Sequence, residues 1–198
     1  MKAPVRWGFD VDSVVGDLSG ILERVAWEEF GVRVSRSQFT DFQLENCLPF
    51  EADFILKWIS AALEPRWTLQ MEPYPGAVEV LRKISEFQPL YFVTARPDSE
   101  GVSLWLQEKL KGVPKESIKV KAVGISESKL PSLKQWNITH FVEDRLETCE
   151  ILAQNGIVPI VFEQPWNLRF HPWRSVKGWD EILELVGEQL LGGAQWPG

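Results

Sequence analysis

Val5, Trp7 and Phe9 alternate with Arg6 and Gly8, a period of two that predicts a strand running up to Asp10. From Asp17 the period changes: Leu18, Ile21, Leu22, Val25 and Ala26 fall on one helical stripe that stops near Gly31. A second helix is predicted from Phe50 to about Ala62, on the apolar positions Phe54, Ile55, Trp58 and Ile59. No strand pattern falls between residues 18 and 72. Pro73, Pro75 and Gly76 then punctuate the chain ahead of a helix from Ala77 to Ser85.

Beyond that point strands and helices take turns. The apolar run Leu90 to Val93 predicts a strand, followed by a helix from about Ser99 to Lys111. Ile118 to Val123 reads as a strand and Leu130 to Trp136 as a short helix. His140 to Val142 and Val158 to Phe162 read as two more strands, separated by a helix from Arg145 to Asn155 that Gly156 closes. Trp179, Ile182, Leu183, Val186 and Leu190 mark a last amphipathic helix, with Asp180 and Glu181 near its positive end. Such alternation over about five strands predicts an α/β fold: a Rossmann-like parallel sheet sandwiched by helices. The stretch 17–72 interrupts the alternation after the first strand. It reads as a small helical cap insertion covering the sheet's edge, leaving residues 1–16 and 73–198 as the core. Gly192 to Gly198 read as a loose tail.

The chain has 198 residues, enough for one core and a small inserted module. Lys and Arg number 21 against 28 Asp and Glu, a formal charge of −7. That balance argues against polymeric nucleic acid, whose binding is largely phosphate neutralisation by basic side chains. A small anionic partner stays compatible if a local cation receives it. Two cysteines, Cys47 and Cys149, cannot build a disulfide framework, which points to a reducing, cytoplasmic setting. No apolar run approaches the roughly 18 residues of a membrane span. Asp10 and Asp12 come too early for a signal peptide.

Ligands of open parallel sheets sit beyond the carboxyl ends of the strands. The first strand delivers Asp10-Val11-Asp12 there, the second Thr94-Ala95-Arg96 and the fourth Glu143-Asp144-Arg145, with Lys129 following the third. Carboxylates gathered in one spot repel unless a cation lies between them, and hard oxygen ligands suit Mg²⁺, which takes substrate phosphate oxygens as further ligands. Phosphoryl chemistry follows from that donor set. Asp10 is placed to attack phosphorus, forming an aspartyl-phosphate, and Asp12 to give a proton to the leaving oxygen and take one from water, which requires surroundings that raise the Asp12 carboxyl.

Phe9-Asp10-Val11-Asp12-Ser13-Val14 resembles the first motif of the haloacid dehalogenase superfamily of phosphohydrolases. Phe92-Val93-Thr94 resembles its second motif, Lys129 its third and Val142-Glu143-Asp144 its acidic fourth, in order across nearly the whole chain. The resemblance implies Asp10 as nucleophile and Asp12 as general acid/base, its backbone carbonyl also on Mg²⁺. It implies Thr94 and Lys129 on the phosphoryl oxygens, Asp144 as a direct metal ligand, and Glu143 acting through a metal-bound water or as a second ligand. It also implies a central first strand and a helical cap between motifs one and two.

Within the superfamily, Asp10-x-Asp12-x-x-x-x-Asp17, Thr94-Ala95-Arg96-Pro97, Glu143-Asp144-Arg145 and Pro165-Trp166-Asn167 resemble the small 5′-nucleotidase and deoxyribonucleotidase-like branch. That implies a small phosphorylated substrate such as a nucleoside 5′-monophosphate. Two positions depart from the pattern: Ser13 stands where Gly is usual, and Glu143 where many nucleotidases have Asp.

Plainer roles compete at several positions. Asp17 suits a helix N-cap as well as a site residue. Arg96 and Arg145 fit either substrate contact, together with Ala95, or pairing with a nearby acid. Trp27, Phe30, Phe39, Phe42, Trp58 and Trp67 suit packing within the insertion more than base stacking, and His140 and His171 suit structural roles. Against phosphomonoester hydrolysis stand a non-catalytic phosphate binder on the same fold and a phosphatase or phosphotransferase for sugar phosphates. A phospho-acceptor receiver needs an Asp ending the third strand, which Val123 denies. Dehalogenation does not require Asp12.

Overall fold

A computed structural model describes residues 4–124 and 128–190. Its strands are β1 (Trp7–Phe9), β2 (Leu90–Thr94), β3 (Ile118–Ala122), β4 (His140–Glu143), β5 (Val158–Phe162) and β6 (Arg174–Val176). They form one sheet in the order β3-β2-β1-β4-β5-β6, every pair parallel. Every residue of β1 and β2 is buried, as a strand covered on both faces requires. The order reverses between β1 and β4, so a crevice opens between their carboxyl ends.

Six strands rather than about five make the sheet. The additional strand, β6, is three residues long, pairs only with β5 at the edge, and carries Arg174 and Ser175. No alternation of apolar and polar positions marks so short and polar an edge. The helices are α1 (Leu18–Phe30), α2 (Ala52–Ala62), α3 (Pro65–Thr68), α4 (Ala77–Ser85), α5 (Glu100–Lys109), α6 (Leu130–Gln135), α7 (Leu146–Gln154) and α8 (Trp179–Leu190). α5 ends two residues short of the expected Lys111, and β3 one short of Val123. The tail from Gly192 lies outside the described residues.

The segment between β1 and β2 opens with α1, α2 and α3 and two 3₁₀ turns, Arg36–Gln38 and Leu44–Asn46. Asp17 is the N-cap of α1, its Oδ1 accepting from Gly20 N at 3.1 Å, and Gly31 ends that helix in the left-handed region at φ 65°. Trp58 fixes α2 on α1: its indole is fully buried and donates to Leu22 O at 2.9 Å. Phe30 and Phe54 meet edge to face at 5.3 Å. Phe39, Trp58 and Trp67 are buried, whereas Trp27 and Phe42 are about half exposed.

This segment stands over the carboxyl ends of the central strands, not over the sheet's edge. The cause is where its two ends are tied. Gly16 bridges to Asp12 and to Pro73, Asp17 N donates to Glu72 O at 2.8 Å, and Tyr74 N donates to Val15 O at 2.8 Å. The chain therefore leaves and rejoins the core at one point beside β1. Two indoles of the core hold that point: Trp179 of α8 donates to Val14 O at 2.9 Å, and Trp105 of α5 to Met71 O at 2.7 Å.

Trp58→Ala removes the buried ring and an indole hydrogen bond together. The substitution is expected to lower unfolding stability by about 3–5 kcal/mol, with Trp58→Phe retaining most of the loss-free packing; urea titration of the three proteins measures it.

Candidate active site

β1 ends at Phe9, and the ladder continues one residue further: Asp10 N donates to Val142 O at 2.9 Å. The chain then turns sharply. Val15 N and Gly16 N both donate to Val11 O at 2.9 Å, and Ser13 adopts φ 62°. A non-glycine residue there costs about 1 kcal/mol, which gives the glycine usual at this position a physical reason. The turn brings Asp10 and Asp12 to face one crevice. Gln164 steadies it from β5's side, donating to Ser13 O at 2.7 Å and to the Tyr74 hydroxyl at 2.9 Å.

Three carboxylates meet at the crevice floor. Oxygen atoms of Asp10, Glu143 and Asp144 lie within 4.8 Å of one another, and all three residues are buried. One lysine answers them: Lys129, at the N-cap of α6, places Nζ 2.5 Å from Asp10 Oδ2 and 2.8 Å from Glu143 Oε2. Glu143 uses its extra methylene to fold back, its Oε1 accepting from Asp144 N at 3.2 Å and Arg145 N at 3.1 Å. Asp144 accepts from the Trp166 indole at 3.0 Å, while Asn167 donates to its carbonyl at 2.8 Å.

The electrostatics follow from burial against neighbours. Burial pushes the Asp10 carboxyl well up; Lys129 opposes this, and the charges of Glu143 and Asp12 add to it. Burial likewise raises Asp144, reinforced by Glu143 and Asp10. Lys129 is pushed down by burial, but Asp10 and Glu143 outweigh that and hold it above its ordinary 10.5.

Asp12 stands apart from that trio. Arg96, itself buried, forks onto it with Nε 2.8 Å from Oδ2 and Nη2 2.7 Å from Oδ1, and Thr94 Oγ1 donates to Oδ2 at 3.2 Å. Burial pushes the Asp12 carboxyl up, yet the Arg96 charge and these hydrogen bonds prevail and hold it below the ordinary carboxylate value, the reverse of the raised carboxyl that a proton donor at this position needs. Of the two roles open to Arg96, pairing with an acid is the one this geometry fulfils. Arg145 stays at the rim, half-exposed, its guanidinium 4.7 Å above the Phe42 ring and Nε 3.5 Å from Glu147.

Two cavities meet at Asp10, Ala95 and Phe42. One, of about 230 Å³, lies under the inserted segment and is walled by Leu18, Leu22, Phe39, Ile59, Leu63 and Trp166, with Asp12 and Asp41 among its few polar groups. The other, of about 250 Å³, mixes Ser128, Lys129, Glu143, Arg145 and Thr148 with the apolar Leu130, Ile151 and Leu152. Asp41, Thr68 and Gln164 have no motif of their own in the sequence, so nothing there singled them out for the site; of the aromatics read as packing within the insertion, Phe39 and Phe42 line the cavity, and Trp166 and Asn167 did carry a signal in Pro165-Trp166-Asn167.

Removing Lys129 leaves three buried acids without their cation. Lys129→Met is expected to lower stability by about 3–5 kcal/mol at pH 7. Because the folded-state lysine titrates above 10.5, its contribution is complete below that pH and disappears as the pH rises through the raised value. Urea unfolding of both proteins along the alkaline limb therefore shows a gap that persists past pH 10.5 and then closes.

Residues 4–191 match the model of the family described as 5′ nucleotidase, deoxy (Pyrimidine), cytosolic type C protein. No curated protein is similar enough in sequence to count as a match. Among solved structures, the chain is similar to a HAD family hydrolase from Deinococcus radiodurans, crystallised with phosphate and sodium, at TM-score 0.66 and 17% identity over 95% of this chain and 97% of that one. It is similar to a predicted phosphatase from Clostridium acetobutylicum at TM-score 0.65 and 12% identity, covering 94% and 100%. A haloacid dehalogenase-like hydrolase from Streptococcus pneumoniae follows at TM-score 0.63 and 14% identity, covering 93% and 99%. At these identities the structural likeness speaks for the fold, while the family match spans nearly the whole chain. The chain thus belongs to the 5′ nucleotidase, deoxy (Pyrimidine), cytosolic type C family and is a phosphatase of the haloacid dehalogenase superfamily.

Proposed function

We propose that this protein hydrolyses phosphomonoesters through an aspartyl-phosphate on Asp10, with Mg²⁺ as cofactor and a nucleoside 5′-monophosphate as substrate. The observation that carries this reading is the buried trio Asp10, Glu143 and Asp144, with Lys129 its one ion-paired cation among the described residues, set at the mouth of an apolar cavity. Three carboxylates against one ammonium leave a deficit of positive charge, and an all-oxygen donor set fits a hard divalent ion. Asp10, Glu143 and Asp144 would hold it with the Asp12 carbonyl; when bound, it neutralises charge between these carboxylates and the phosphoryl oxygens.

The chain's own groups supply the rest. Lys129 holds phosphoryl oxygens, and Thr94 joins it once its hydroxyl turns away from Asp12, to which it now donates. A carboxylate oxygen of Asp10 bonds to phosphorus as the ester oxygen leaves with its electron pair; Asp12, which must first bind a proton against the Arg96 fork that holds its carboxyl low, gives that proton to the leaving oxygen. Asp12 then takes a proton from the water that attacks phosphorus, which restores Asp10 and releases phosphate. Residues 17–72 act as the cap, keeping bulk water from the cavity during the first step. Ala95 and Arg145 line the second cavity and would face a phosphoryl group held there by Lys129.

Substrate charge follows from the walls. The apolar cavity presents Phe39, Phe42 and Trp166 to a ring, and among the described residues its one lining cation, Arg96, is already committed to Asp12. Asp41 adds negative charge. A leaving group with an apolar face and no second anion fits such a wall; a phosphorylated carboxylic acid does not. Two thiols without a disulfide agree with a cytoplasmic setting. Among the described residues no helix is long and apolar enough to cross a membrane.

Asp10→Asn is expected to lower turnover by at least about 10³-fold while the melting temperature holds. Near wild-type phosphate release by that variant would refute the covalent step. In a panel with and without Mg²⁺, nucleoside 5′-monophosphates should exceed phosphoglycolate in kcat/KM by about tenfold or more. A preference for sugar phosphates would reassign the substrate, and phosphate binding without release would make the protein a binder.

A further inference from the structure

We infer that Arg96 is a positioning residue that ties the aim of the Asp12 carboxylate to the seating of the inserted segment. The inference rests on the phosphomonoesterase reading above and concerns what controls its acid/base group. Arg96 follows β2 directly and is buried, so its guanidinium has no choice of partners. Nε and Nη2 take the two oxygens of Asp12 at 2.8 and 2.7 Å. Nη1 turns the other way, donating to Leu63 O at 3.3 Å and to Thr68 Oγ1. Leu63 closes α2 and Thr68 ends α3, so both acceptors belong to the inserted segment. Thr68 is fully buried, and its hydroxyl donates back to Glu64 O at 3.1 Å, which leaves an oxygen lone pair for Arg96.

A guanidinium is planar, with five N–H groups in fixed directions. Four of them are used here, two on the carboxylate and two on the segment. The plane cannot rotate toward one set of partners without leaving the other. Asp12 therefore keeps its side-chain direction, with part of the carboxylate facing the apolar cavity, only while Leu63 and Thr68 stay where they are. Seating the segment over the substrate and aiming the proton-transfer group become one event. Lysine cannot substitute, because a single ammonium cannot fork onto Asp12 and reach Thr68 as well.

The dependence on leaving group separates this role from general support of the fold. Departure of an alkoxide needs a proton from Asp12, whereas 4-nitrophenolate leaves without one. Single-turnover release of alcohol is measured for wild type, Arg96→Lys, Thr68→Val and the benchmark Asp12→Asn, on a nucleoside 5′-monophosphate and on 4-nitrophenyl phosphate. Arg96→Lys is expected to lose about 10²-fold on the alkyl ester and under about tenfold on the aryl ester, the same selective pattern as Asp12→Asn. Thr68→Val keeps the shape of its side chain and touches no substrate. It should lose about three- to tenfold on the alkyl ester at unchanged KM, and nothing on the aryl ester. Thermal melting establishes that Thr68→Val is folded, so this arm stands even if Arg96→Lys misfolds. Equal losses on both esters, or wild-type alkyl-ester rates in Thr68→Val, overturn the inference. Wild type releasing alcohol from neither ester overturns the phosphomonoesterase reading itself, and the inference with it.

Discussion

Like charges taken out of water together are what this fold is built around. Asp10, Glu143 and Asp144 are each buried with oxygens inside one 4.8 Å cluster, where water no longer screens them. Two unit charges 4 Å apart at the effective dielectric of a protein repel by about 4 kcal/mol. No side chain chooses that position on its own account. The backbone imposes it: Asp10 continues β1, Glu143 ends β4, and the two strands are locked in parallel register from Trp7–His140 to Phe9–Val142. Central strands buried on both faces are the stiffest part of an α/β sheet, and only a stiff frame can hold repelling groups together.

The frame then has to relieve what it creates, and it does so with two cations of unlike chemistry. Lys129 brings a compact ammonium to the point where Asp10 and Glu143 converge. Arg96 brings a flat fork to Asp12. A lysine in place of Arg96 fails on geometry, since an ammonium cannot span both oxygens of Asp12 while reaching the inserted segment. Neighbouring aspartates nevertheless end with opposite characters, because Lys129 does not offset what burial does to Asp10 whereas Arg96 does for Asp12. Asp10 is pushed up by burial among like charges, while Asp12 is held down by its fork.

Strand-end chemistry was legible because the relevant signals are local. A period of two ending in Asp10, an apolar run ending in Thr94 and another ending in Glu143-Asp144 say which residues stand at the carboxyl edge, whatever the strand order. Packing between distant segments was not legible. Nothing near Arg96 in sequence states whether it meets substrate or Asp12; the answer depends on Leu63 and Thr68, about thirty residues earlier, taking its other N–H groups. The inserted helices were visible from their stripe, but their station over the strand ends depends on Gly16, which touches Asp12 and Pro73 at once. β6 escaped for another reason: an edge strand of three residues has too few positions to show a period.

Ser13 brings the local and distant terms together. Its backbone lies in the left-handed region, an unfavourable conformation for any residue with a β-carbon. The turn is kept because three elements hold it: Gln164 from beyond β5, the Trp179 indole on Val14 O, and the Gly16 bridge at the foot of the inserted segment. A glycine there would relieve the strain but add freedom to the unfolded chain and to the turn itself. With serine, the direction in which Asp12 leaves the backbone is narrowed before Arg96 acts on its carboxylate. The acid/base group is thus fixed at both ends, by a strained turn at its Cα and by a planar fork at its oxygens that Leu63 and Thr68 of the inserted segment hold in turn.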